Sequence, residues 1–197
     1  MKKEYTILCP DFFPTHMELF EAIFRLNGYK LEVVKDEGEE VIATGLKYLH
    51  NDMCYPAICS VGQLLYALLS GRYDVKKTAL IFFQTGGGCR ASNYIFLLRK
   101  ALEELGLSFV PVISVSFTGL EKYSGFKITP SMLREGFASL IYGDMLLLLK
   151  NQVAPYEKHS GETAHTVKRW INFLSDEFAK KRGYKKREVK KHLDEMA

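Results

Sequence analysis

Four cysteines, Cys9, Cys54, Cys59 and Cys89, are the residues of this 197-residue chain best suited to chemistry. A thiolate is a nucleophile, a soft metal ligand and a redox group. Four thiols spread from residue 9 to residue 89 do not make the disulfide framework of a small secreted domain. Cys54 stands in Asn51-Asp52-Met53-Cys54-Tyr55-Pro56, where Pro56 marks the first turn of a helix. Cys89 stands in Thr85-Gly86-Gly87-Gly88-Cys89-Arg90, between a strand and the helix that follows it. Helix starts offer unpaired N–H groups and the positive end of the dipole, which lower a thiol's pKa and favour an anionic group. Gly86, Gly87 and Gly88 let the backbone approach a bulky ligand and offer amide donors to sulfur. Arg90 adds a cation that can neutralise a cluster or hold an anionic substrate. A glycine run after a strand also suits phosphate, but neither the P-loop lysine followed by Ser/Thr nor the dinucleotide spacing is present.

Each of these residues has a plainer reading. A single cysteine is commonly a small buried hydrophobe, and Cys59, inside a helix beside Gly62 and Tyr66, fits that description. Cys9 stays open between ligand and packing residue. Cys54 and Cys89 combine a loop position with a helix start and read as functional. His16 reads as an exposed helix-start histidine, Asp52 and Glu121 as turn and surface carboxylates, and Tyr55 as packing.

The elements that position these residues follow from the apolar pattern. Strands are predicted over 5–9, 31–34, 78–84 and 109–115. Helices are predicted over 15–26, 39–49, 56–70, 93–105 and 130–151, and again from 162 onward. Asn27-Gly28 predicts a left-handed helix cap. Thr78 to Gln84 is apolar almost throughout, as a strand buried on both faces should be. Strands separated by helices imply an α/β class: a three-layer parallel sheet of about four strands, a Rossmann/flavodoxin-like lobe over 1–157, with a basic helical extension over 158–197. In such sheets ligands bind outside the carboxyl ends of the strands. Cys9, Cys54 and Cys89 all map to that edge.

The net charge is +4, and Asp176 to Ala197 carries six Lys and two Arg against five acids. Signs are mixed there and aromatics scarce, so a solvated helix is expected rather than a nucleic-acid surface. No apolar run is long enough to span a membrane, and the chain does not open on a secretory leader. A cytoplasmic protein is expected.

Asn51-Asp52-Met53-Cys54-Tyr55-Pro56-Ala57, Val61-Gly62-Gln63, the loop Gln84 to Tyr94 and Pro111-Val112-Ile113-Ser114 together resemble one family. That family is the 2-hydroxyacyl-CoA dehydratase-like proteins, and the likeness is nearest to the C-terminal region of the large CoA-substrate-specific enzyme activase-related proteins of anaerobes. Gly125-Phe126-Lys127-Ile128-Thr129 and Tyr142-Gly143-Asp144 fit as well, so the likeness runs from about Tyr5 to Glu157. The resemblance implies an oxygen-sensitive [4Fe-4S] or related cluster. It implies an electron received from an ATP-hydrolysing activator and, in the dehydratases, removal of water from a 2-hydroxyacyl-CoA through a ketyl radical. It assigns Cys54 and Cys89 as ligands; Cys9 joins them by its strand-end position alone. Full-length relatives carry a second lobe, so the expected partner is a separate dehydratase-like or activator subunit, or a second copy sharing the cluster across a symmetric interface. Whether this chain alone is an enzyme stays open. Two other readings remain: a metal-free small-molecule or anion-binding module, and a non-catalytic assembly domain of a larger reductase complex.

Overall fold

The computed structural model describes residues 2, 4–84, 88–116, 119–120 and 127–197. The described residues group into two compact units. One comprises Met1–Phe12 and Tyr29–Lys127, the other Phe13–Gly28 and Ile128–Ala197.

The first unit holds the sheet. Its strands are β1 (Thr6–Pro10), β2 (Lys30–Val34), β3 (Thr78–Gln84), β4 (Val112–Ser116) and the two-residue β5 (Gly119–Leu120). Their order is β2-β1-β3-β4-β5. The first four are parallel, with Cys9 opposite Val33 and Phe82 opposite Ser114, and β5 returns antiparallel to β4. The chain is thus α/β, a four-stranded parallel sheet flanked by helices, as expected. Ile7, Leu8, Cys9, Ala79, Leu80, Ile81 and Phe82 are all buried, so neighbours on opposite faces of the pleat are equally removed from water. The fourth strand starts at Val112 rather than at Phe109, because Pro111 has no N–H to give a ladder; its carbonyl instead accepts from the Leu80 N–H at 2.8 Å.

Three helices belong to this unit: α2 (Glu39–Tyr48), α3 (Tyr55–Leu69) and α4 (Tyr94–Glu104). Ala57, Val61, Leu64, Leu65 and Leu68 of α3 and Ile95 and Leu98 of α4 share one apolar cluster with Leu8, Leu80 and Phe82 of the sheet. Helices α2 and α3 meet through glycine. A Cβ on Gly45 would stand 2.2 Å from the Ile58 carbonyl oxygen, and one on Gly62 would stand 2.4 Å from that of Val41. Those pairings make α2 and α3 an antiparallel hairpin with its turn at 49–54, the segment that ends in Cys54.

The second unit is helical: α1 (Pro14–Leu26), α5 (Pro130–Val153), α6 (Glu162–Ala179) and α7 (Lys186–Met196). Helix α1 ends at Asn27, and Gly28 has φ +82°, the left-handed cap expected there. Thr129 opens α5 by accepting the Met132 N–H at 3.2 Å. Tyr142, Leu146, Ile171, Leu174 and Phe178 form the interior. Residues 13–28 and 128–157 thus group with 158–197, whereas the sequence assigned them to the α/β lobe. The polar stretch at 154–161 closes one helix and opens the next, and apolar packing continues across it.

Candidate thiolate site

Four loops at the carboxyl edge of the sheet are held by two glutamines and an arginine. Gln63, on the third turn of α3, accepts the Asp11 N–H after β1 at 3.1 Å and donates to the Asp36 carbonyl after β2 at 2.8 Å. Gln84, the last residue of β3, donates to the Ser92 carbonyl at 3.0 Å and accepts from the Ser114 hydroxyl of β4 at 2.9 Å. Arg90 Nη1 donates to the Asp52 carbonyl at 2.8 Å, joining the Cys89 loop to the Cys54 loop.

Cys54 is the residue from which α3 starts; its carbonyl accepts from the Ala57 and Ile58 N–H groups at 2.9 and 3.3 Å. Its Sγ lies 2.9 Å from the Tyr94 hydroxyl. That hydrogen bond is the main reason the thiol's pKa falls below its ordinary value. Nearby N–H groups and the Arg90 charge add to it, against a smaller opposing effect of burial. Cys89 is exposed and heads the short 3₁₀ turn Arg90–Asn93. Its Sγ accepts the Ala91 N–H at 3.5 Å, and its carbonyl accepts from Ser92 Oγ at 2.7 Å. Tyr94, at the start of α4, is electrostatically sensitive to both thiols, and burial with these two neighbours raises its phenol pKa. Tyr94 thus contacts Cys54 from a distant stretch and follows Cys89 by five residues in its own.

Cys9 ends differently. It is 1% exposed on β1, its thiol donates to the Pro10 carbonyl at 3.5 Å, and burial together with the Asp11 charge pushes its pKa far up. Among the described residues no three His, Cys, Asp or Glu side chains come together as a metal-binding group. Cys9 is buried in β1, whereas Cys54 is half-buried and Cys89 exposed. Cys59 is half-buried one turn inside α3 and accepts from the exposed Tyr55 hydroxyl, whose pKa it raises. Gly88 is exposed with open space where a Cβ would stand. Gly86, Gly87 and Glu121 lie outside the described residues. Asp52 contributes its carbonyl, while its carboxylate lies 3.3 Å from His50 Nδ1 in solvent.

His16 is a correction. Expected to be exposed, it is 5% exposed within the helical unit, with Nε2 at 3.0 Å from the Asp144 carboxylate and Nδ1 buried without a hydrogen-bond partner among the described residues. Gly143 makes this burial possible, since a Cβ there would stand 2.2 Å from the His16 ring. Tyr94, Gln63 and Gln84 were quoted in the sequence motifs but not recognised as parts of the site. The signal available for Tyr94 was a large hydroxylated side chain at the helix start directly after the glycine–cysteine loop.

No protein-family model, curated protein or solved structure matches this chain. No helix among the described residues is long and apolar enough to cross a membrane.

Proposed function

We propose that this chain is the cluster-binding lobe of a 2-hydroxyacyl-CoA dehydratase/activase-type electron-transfer system, holding a [4Fe-4S] or related cluster through Cys54 and Cys89. The observation that carries this reading is the Arg90 hydrogen bond to the Asp52 carbonyl, which ties the two cysteine loops together. The donor chemistry fits iron. Cys89 Sγ accepts a backbone N–H, Cys54 Sγ stands 2.9 Å from the Tyr94 hydroxyl, and Cys54 is biased toward the thiolate, the form that ligates metal. Two thiolates are half the set a [4Fe-4S] cluster takes. With Cys9 sealed in the sheet, the remaining ligands come from a second copy of the chain or from a separate dehydratase-like or activator subunit. Bound there, the cluster would supply one-electron transfer toward an acyl-CoA substrate, in a reducing, cytoplasmic compartment. Arg90 would supply positive charge to that anionic assembly.

The test is iron and acid-labile sulfide per chain in protein purified without oxygen, with the native mass measured alongside. Brown, iron-loaded wild type and colourless Cys54→Ala and Cys89→Ala proteins are the expected result. Phosphate or coenzyme A binding that survives both substitutions, with no iron in the wild type, would instead establish the metal-free module.

A further inference from the structure

Tyr94 is 5% exposed, and its ring stands edge-on to Phe82, with centroids 5.6 Å apart. Phe82 in turn meets Phe12 edge-on at 5.3 Å. The phenol is thus locked by aromatic packing, and the one hydroxyl it carries ends 2.9 Å from Cys54 Sγ. We infer that Tyr94 is a positioning residue for the thiolate site: its buried O–H donates to Cys54 Sγ, orients that sulfur and sets the reduction potential of a cluster held there. The inference rests on the reading of Cys54 as a cluster ligand.

The direction of the bond follows from the two groups. A sulfur that ligates iron carries no proton, and a tyrosine phenol keeps its own at neutral pH. The tyrosine therefore donates and the sulfur accepts. A hydrogen bond to a ligand sulfur withdraws charge from the iron and favours the reduced state, which raises the potential. Because packing rather than solvent orients this donor, it is in place before and after the electron arrives. Tyr55 makes the contrast: its hydroxyl is exposed and pairs with Cys59, away from both proposed ligands.

The test compares the full chain, its Tyr94→Phe variant and a Tyr55→Phe control, each reconstituted with ferrous iron and sulfide without oxygen. Phenylalanine keeps the ring packing, and far-UV circular dichroism checks the fold. Equal iron per chain is expected in all three, with the midpoint potential, read by dye-mediated titration and electron paramagnetic resonance, shifted negative in Tyr94→Phe alone. An unchanged potential at equal iron would overturn the inference and leave the cluster reading standing. Wild-type protein that takes up no iron would overturn both.

Discussion

Arg90 Nη1 reaches the main-chain carbonyl of Asp52 at 2.8 Å, across 38 residues of sequence. An arginine beside a candidate ligand thus spends its hydrogen bond on the neighbouring loop rather than on a carboxylate. Arg90→Ala should lower iron per chain after anaerobic reconstitution while changing stability by less than about 1 kcal/mol, because the guanidinium is solvated. Arg90→Lys should not restore the iron, since an ammonium lacks the planar fork that spans this gap. Iron content and denaturant melts, measured together, separate the two effects.

The thiols should titrate apart. In metal-free protein, the pH at which iodoacetamide modifies Cys54 at half its maximal rate should lie below the ordinary thiol value, because the Tyr94 hydroxyl stabilises the thiolate. Tyr94→Phe should move that midpoint upward. Cys9 should stay unmodified until the chain unfolds. The linkage signs oppose each other. The lowered pKa of Cys54 contributes stability above the unfolded thiol value that is lost as pH falls through its folded pKa. The raised pKa of Cys9 contributes stability below the unfolded value that is lost as pH rises past it. Peptide mapping by mass spectrometry resolves each cysteine.

Gly62→Ala should destabilise the sheet unit although alanine is the better helix former. The new Cβ would stand 2.4 Å from the Val41 carbonyl, backbone against backbone. Overpacking of this kind costs about 1–3 kcal/mol, against about 1 kcal/mol of regained helix propensity. A lower denaturation midpoint with unchanged slope is the expected result.

In the helical unit, Tyr142 is fully buried and its hydroxyl donates to the Gly183 carbonyl at 2.7 Å. With that proton spent, His192 Nδ1, at 2.8 Å, donates to the phenol oxygen. Tyr142→Phe strands both partners and should cost about 1–3 kcal/mol, read as a lower thermal midpoint.

Much of the architecture was readable because several local signals agreed. The apolar run Thr78–Gln84, the Asn27-Gly28 cap and Pro56 each marked an element that the structure contains. Cys9 shows where such reading stops. Its place near a strand end was legible, but in a strand covered on both sides no polar alternation reveals which way a side chain points. His16 was misjudged because its burial depends on Gly143, a missing side chain 127 positions away. Tyr94 escaped notice because its partner lies 40 residues earlier, and no periodicity links them. The grouping of α1 with the C-terminal helices was likewise invisible, being decided by packing between segments more than a hundred residues apart.

The bare approach of Gly45 to Ile58 and of Gly62 to Val41 has a mechanical meaning. Main chain touches main chain there, without an intervening rotamer to yield, so α3 behaves as a braced strut with a sulfur at its tip and an amide tether two turns below. Side chains on its solvent face can drift in evolution or be exchanged by design without displacing that sulfur; a single added methyl at the brace cannot.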